Sequence, residues 1–298
     1  MADQTTERPH PRAAGLHAAA APDVLARLLD AQIAAVALVR TALPALEAAA
    51  AAAGDALRNG RKMAYAGAGS SGLMALADCL ELWGTFGIPP GSTPMLFAGG
   101  TAALLHMTGA VEDDGALAAT DLARAEITKG DVVICVSASG TTPYTLAVAH
   151  GAQATGVQII ALSNVAASPL LTMADFPVLL DTGPEIIAGS TRLGAASAQK
   201  VALNLLSVLV GIRLGHVHDG YMVNVVADNA KLLTRAAGIV AAISGVDLHT
   251  AQTAIQTAKG AVKPAVLIAL GSTATEAITQ LQNNGGHLSA AMTHPKPN

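Results

Sequence analysis

The chain has 298 residues, a formal net charge of −4 and only 2% aromatic residues, so it offers neither a basic footprint nor a stacking platform for nucleic acid. It is 52% hydrophobic with a mean hydropathy of +0.46, but much of this is alanine, as in Ala48 to Ala53, which favours helix over bilayer insertion. Leu203 to Val210 is the most apolar run and is shorter than the roughly 18 residues a spanning helix needs, so no membrane partner is expected.

The first residues, Met-Ala-Asp-Gln-Thr-Thr-Glu-Arg-Pro, lack the basic and apolar regions of a signal peptide. Cys79 and Cys135 both lie in apolar context and read as buried free thiols of a reducing compartment. A cytoplasmic protein is expected. Residues 1–20 are polar and poorly patterned, an arm more than a domain. From Pro22-Asp23 to Arg40, Val24, Leu25, Leu28, Leu29, Ile33, Val36 and Leu38 form a broad apolar helical face. A second helix is predicted from Leu43 to Leu57, stopped by Asn59-Gly60.

Strands and helices then alternate. Candidate strands are Met63–Ala66, Met95–Phe97, Val132–Val136, Ile159–Leu162 and Pro177–Leu180, each short and apolar throughout. That pattern predicts parallel strands buried on both faces by helices. A long helix is predicted from Ala195 to Arg213, and residues 239–292 read as short helices broken by Gly245, Gly260, Gly271 and Gly285-Gly286. The expected organisation is an N-terminal arm with helices (1–57), an α/β domain (58–237) and a small helical subdomain (238–298).

The first strand runs into Gly67-Ala68-Gly69-Ser70-Ser71-Gly72 and then an Ala/Leu-rich helix. Strand, glycine-rich turn and helix aim backbone N–H groups and a positive dipole end at an anion, and Ser70 and Ser71 add hydroxyls. Gly67-x-Gly69-x-x-Gly72 also fits a dinucleotide fingerprint. That reading needs a carboxylate at the end of the second strand, where Leu96-Phe97-Ala98-Gly99-Gly100 has none. After the strand Val132–Val136 comes a second turn, Ser137-Ala138-Ser139-Gly140-Thr141-Thr142-Pro143, with Thr142 and Pro143 suited to the N-cap and first helical position. One such turn is ordinary capping; two, after neighbouring parallel strands, are better explained by one shared phosphate. The pair resembles the loops of the sugar isomerase (SIS) fold, a three-layer α/β fold with a five-stranded parallel sheet between helices.

More narrowly, the chain resembles the N-acetylmuramic acid 6-phosphate etherase family. The resemblance runs from Thr6-Glu7-Arg8 to Gly285-Gly286-His287-Leu288. It is carried by Gly67–Gly72, Ala138–Tyr144, Gly189-Ser-Thr-Arg-Leu193 with Ala198-Gln-Lys200, Gly109–Asp113 and Ala227–Leu232. It implies a lyase that removes the lactyl ether as D-lactate and leaves N-acetylglucosamine 6-phosphate. Two catalytic glutamates are implied: Glu81, aligned with the family's proton donor, and Glu112. Gly69, Ser70, Ser71, Ser137, Ser139, Thr141 and Thr142 are expected to hold the phosphosugar. Glu185 and Ser190, before the long helix, are further expected contacts. The neighbours Leu80, Leu82 and Trp83 predict a dry setting for Glu81, and Asp113 and Asp114 predict a raised pKa near Glu112. A continuous helix from Ser71 would carry Glu81 about 15 Å along its axis, which requires a break in the helix or a site shared with a second subunit.

Leu-Trp-Gly84 replaces the family's Cys-Pro-Pro after the acid, and Leu73, Thr141 and Gly194 stand where the family carries cations. The competing functions are an aldose–ketose isomerase and a non-catalytic phosphosugar sensor. His216-x-His218-Asp219 has metal-ligand spacing but reads as an exposed loop, so no metal and no cofactor is expected. The family implies a homodimer.

Overall fold

The structure is a computed structural model that describes residues 5–107, 109–225, 227 and 229–292. Helix α1 (Ala21–Ala37) carries Pro22 and Asp23 in its first turn. It ends three residues before the predicted Arg40, and a 3-10 turn, Leu38–Ala42, leads into α2 (Leu43–Arg58). Pro44 has no N–H for the carbonyl of Arg40; Leu43 N–H bonds that carbonyl instead, in the tighter i→i+3 pattern. Asn59 then caps α2, and Gly60 turns the chain at φ +70°.

The remaining elements of the α/β region alternate as their apolar runs predict. They are β1 (Met63–Gly67), α3 (Gly69–Phe86), β2 (Met95–Phe97), α4 (Gly100–Leu105), α5 (Ala116–Arg124), β3 (Val132–Val136), α6 (Pro143–Gln153), β4 (Gln158–Ser163), α7 (Pro169–Met173), β5 (Phe176–Leu179) and α8 (Gly194–Arg213). The five strands form one parallel sheet in the order β2-β1-β3-β4-β5. Every residue of β1 and β3 is buried, as strands covered on both faces must be. One face packs Ala64, Ala66, Val133, Cys135 and Ile159 against Tyr144, Val148 and Ala152 of α6; α2 packs against β1, β3 and β5.

A polar knot ties β1, α3 and α8 together. Buried Asp78 accepts hydrogen bonds from Tyr65 Oη (2.8 Å), Asn204 Nδ2 (2.7 Å) and Ser207 Oγ (2.9 Å). Burial raises its pKa despite these three donors.

Two helical stretches, Ala21–Arg58 and Gly194–Arg213, are long and apolar enough to cross a membrane by length and composition. This corrects the expectation drawn from Leu203–Val210 alone: alanines on either side extend each apolar window past the spanning length. In α8 that surface faces protein, and Ala195, Ala198, Ala202, Leu203, Leu206 and Val210 are fully buried.

By its contacts the chain forms two compact units, one running to Leu80 and resuming over Pro90–Leu209, the other made of Glu81–Pro89 and the residues from Val210. The boundary expected at residue 238 falls within the second unit. That unit holds a short antiparallel ribbon, β6 (Val217–His218) and β7 (Tyr221–Met222), and five helices. These are α9 (Ala230–Ser244), α10 (Leu248–Thr257), α11 (Val262–Ala269), α12 (Ala274–Asn283) and α13 (Leu288–Met292), whose core includes Val223, Val240, Ala251, Val266, Ala277 and Leu288. Gly245, Gly260, Gly271, Gly285 and Gly286 all separate helices, as expected, at positive φ.

Candidate active site

The first loop is built by backbone packing on backbone. A Cβ on Gly67 would lie 3.0 Å from the Cα of Gly72, and one on Gly72 would lie 2.9 Å from the carbonyl of Gly67, so neither position tolerates a side chain. The turn between them delivers Ser70 and Ser71 into the first turn of α3. Gly69 has a different reason for being glycine. Its φ is +53°, and a Cβ there would lie 2.5 Å from Oε1 of Glu112.

Glu112 therefore sits with its carboxyl group against the opening of α3, where partial positive charge and N–H groups collect. Its own carbonyl accepts the N–H of Tyr144 (3.0 Å) in the first turn of α6. The main chain of Glu112 is thus anchored at the start of one helix and its side chain lies over the start of another. Burial is the first cause of its raised pKa, and Asp113 adds to it; crowding alone, as read from the sequence, was the smaller part.

The second loop adjoins the first. Ala138 N–H donates to Ser71 Oγ (3.2 Å), so the two turns share a direct bond. Within the second loop Ser137 Oγ and Thr142 Oγ1 share a hydrogen bond (2.8 Å), Gly140 N–H donates to Ser137 Oγ (3.1 Å), and Thr141 Oγ1 donates to Ser139 Oγ (2.9 Å). Thr142 does occupy the N-cap of α6 with Pro143 following, but its side chain makes no cap bond. The hydroxyl turns to Ser137 instead. Gly140 is required because a Cβ at its φ of +64° would run into Ser168 Oγ and Ser163 Oγ behind the loop.

Gly69, Ser70, Ser71, Ser137, Ser139, Thr141, Thr142 and Glu112 are thereby assembled at the carboxyl ends of β1 and β3. The other candidates are placed differently. Glu185 is 4% exposed, and its carboxylate accepts the N–H groups of Gly194 (2.9 Å) and Ala195 (2.8 Å), capping α8. Ser190 lies in the turn after it, where its N–H donates to the carbonyl of Ile187 (2.9 Å). Gly189 N–H donates to the carbonyl of Thr6 (3.0 Å), so the N-terminal arm docks on this loop through a buried threonine.

Glu81 lies on α3, which runs unbroken from Gly69 to Phe86. A break before Glu81 is thereby excluded. Its setting is not dry: Glu81 is exposed, and its neighbours Leu80 and Trp83 are 69% and 53% exposed. Residues 80, 81 and 83 point outward because the inner stripe of this helix is filled by Asp78, Cys79, Leu82 and Phe86.

A supporting pair escaped the sequence reading. Asn164, just past β4, donates its N–H to the carbonyl of Ala138 (2.9 Å) and accepts from Gln199 Nε2 (2.9 Å), backing the second loop. An Asn at the carboxyl end of a parallel strand was the available signal. The two histidines weighed as metal ligands have separate surroundings. His216 is held largely by burial at a pKa of about 4, while His218 Nδ1 and Ser289 Oγ share a hydrogen bond (2.9 Å). Among the described residues no three His, Cys, Asp or Glu side chains gather as a metal cluster.

Comparison with known proteins agrees with this fold. Residues 31–164 match the SIS domain. Among solved structures, a putative phosphosugar isomerase from Bacteroides fragilis superposes with a TM-score of 0.52 at 20% identity, covering 68% of this chain and 95% of that one. A phosphoheptose isomerase from Francisella tularensis gives 0.51 at 20% identity over 65% of this chain and 100% of that one. These two likenesses show the fold. Much nearer in sequence, N-acetylmuramic acid 6-phosphate etherases are 44% identical over 95% of the chain and 93% of the relative in Deinococcus radiodurans, and 39% identical over 90% and 87% in Streptomyces avermitilis. With that identity carried over nearly its whole length and over most of those relatives' own length, this chain belongs to the N-acetylmuramic acid 6-phosphate etherase family.

Proposed function

We propose that the protein is a lyase that cleaves the D-lactyl ether of N-acetylmuramic acid 6-phosphate, giving N-acetylglucosamine 6-phosphate and D-lactate. The observation that carries this reading is the position of Glu112, a partly desolvated carboxyl group against the start of α3, beside the shared phosphate loops. In the proposed reaction the loops hold the 6-phosphate through backbone N–H groups and the hydroxyls of Ser70, Ser71, Ser137, Ser139, Thr141 and Thr142. Ring opening places the C2 proton beside an aldehyde, acidic enough for a carboxylate base. Glu112, made more basic by burial, takes that proton, and Glu81 protonates the C3 oxygen as lactate leaves. Water then adds to the unsaturated aldehyde. Glu185 and Ser190 act in this scheme by shaping the loop before α8.

Glu81 lies about 15 Å along α3 from Ser71, too far to serve a phosphate at the helix start. We infer that the enzyme is a cytoplasmic homodimer in which Glu81 completes the partner's site. Exposed Leu80 beside it, and separately an outward row of Leu25, Leu29 and Ile33 on α1, are apolar surfaces of the kind another copy covers. The test is release of D-lactate from N-acetylmuramic acid 6-phosphate, measured for Glu81→Ala, for Glu112→Ala and for the two variants mixed after co-refolding. Each alone is expected to be inactive, and the mixture to regain up to about a quarter of the parent rate through hybrid dimers carrying one intact site. Lactate release by either single variant at the parent rate removes that glutamate from the mechanism; a mixture without activity removes the shared site. Tight phosphosugar binding without any lactate release by the parent protein would favour a sensor.

A further inference from the structure

A second recess lies wholly within the unit formed by residues 81–89 and those from 210 onward, and encloses about 620 Å3, the size of a small-molecule pocket. Its walls are mainly apolar, with Trp83, Val223, Val262 and Leu281 among them. One charged side chain lines it. Lys263, in the first turn of α11, is only 7% exposed, and its ammonium donates to the carbonyl of Gly286 (2.8 Å). Two N–H donors remain on that nitrogen. Among the described residues, none that lines the recess is acidic.

A buried ammonium lining a cavity is costly where, among the described lining residues, none carries a counter-charge, and burial pushes Lys263 down to about 8. At pH 7 it still carries its proton. Among the described groups near it, His216 is held neutral at about 4 by burial, and His287 is a second ring beside His216. The donor set also discriminates between anions. A phosphate dianion is held by a cradle of backbone N–H groups and several donors, as in the loops of the first unit. Here the lining has one cation beside Asn229 and Asn224, the latter's amide already donating to the carbonyl of Phe86, and Pro264, next after Lys263, has no N–H to give. One buried positive charge in an apolar pocket suits one negative charge on an apolar or ring-shaped body.

We propose that this recess binds a small monocarboxylate, its carboxylate on Lys263 Nζ and its body against Trp83, Val262 and Leu281. Among the described residues, none that lines it belongs to the two hydroxyl-rich loops.

Trp83 is the chain's one tryptophan, so its fluorescence reports occupancy of the recess without a label. The probe is N-acetylmuramic acid, which carries a carboxylate on a sugar ring and no phosphate; N-acetylglucosamine is the same ring without the carboxylate. A saturable change in Trp83 emission is expected with the first and none with the second. Lys263→Met should weaken the response by about tenfold or more, and Ser71→Ala should leave it unchanged. Should Lys263→Met fail to fold, the parent protein decides: affinity is expected to fall as pH rises past about 8, as the ammonium deprotonates. No saturable change, an equal response to both sugars, binding retained in a folded Lys263→Met, loss of the response in Ser71→Ala, or affinity independent of pH across that range would each overturn the site. Lactate release plays no part in the readout, so failure of the lyase assignment would leave this result standing.

Discussion

Replacing Gly69 by alanine separates the position of Glu112 from its chemistry, because it leaves the carboxyl group in place in the sequence. The added Cβ would lie 2.5 Å from Oε1, whereas ordinary contact begins near 3.4 Å, so the carboxyl group must retreat by about 1 Å. A misplacement of about 1 Å in a catalytic group costs roughly 100-fold in rate. Alanine at a φ of +53° also carries left-handed strain of about 1–2 kcal/mol. For a folding unit of this size that corresponds to a fall in melting temperature of roughly 2–8 °C. The assay couples D-lactate release to D-lactate dehydrogenase, with melting followed by circular dichroism on the same preparation. A variant that melts lower yet keeps the parent kcat/KM would refute the reasoning, since Glu112 would then not be needed where the structure holds it.

Three further outcomes are expected. Glu112→Gln should be more stable than the parent at neutral pH, with the difference vanishing in acid. The folded-state pKa of Glu112 lies above its ordinary 4.5, so its favourable contribution is full below that value and is lost as pH rises through the folded pKa; urea melts at a series of pH values test this, and identical profiles would contradict it. Ser71→Ala should raise KM for the phosphosugar by about tenfold, because it removes both a hydroxyl and the acceptor for Ala138 N–H; an unchanged KM would place the phosphate elsewhere. Glu185→Ala should destabilise the protein by about 1–3 kcal/mol by leaving two buried N–H groups at the start of α8 unpaired, lowering the urea midpoint without changing the slope. A midpoint equal to the parent's would show that the carboxylate is not needed as a cap.

The alternation of short apolar strands with helices was legible in the residues because its cause is local. Fully buried parallel strands must be apolar at every position, and glycines at positive φ must stand where helices stop; hence all five strands and most helix ends lie within a residue or two of where the pattern puts them. The two hydroxyl-rich loops were legible for the same reason, since such a turn between a strand and a helix announces itself over six or seven residues. Helix length was misjudged at Arg40, whose carbonyl finds no N–H on Pro44, four residues on. The apolar length of α8 was misjudged where alanines were discounted.

Whatever depended on contacts across the chain had to come from the tertiary structure. Glu112 and Gly69 are 43 positions apart, and only folding shows that the carboxyl group of one fills the space left by the other. Glu185 is an expected substrate contact because it precedes the long helix, where the SIS fold often touches substrate; only the structure shows that its carboxylate also accepts the first N–H groups of that helix. Glu81 looked dry because its neighbours in the chain are apolar, but residues adjacent in a helix point 100° apart, and the buried stripe of α3 passes through Asp78, Cys79, Leu82 and Phe86 instead. Residue type and local spacing thus determined the elements and the two hydroxyl-rich turns, while burial, which is a property of surfaces meeting in space, decided which carboxyl group lies against Gly69.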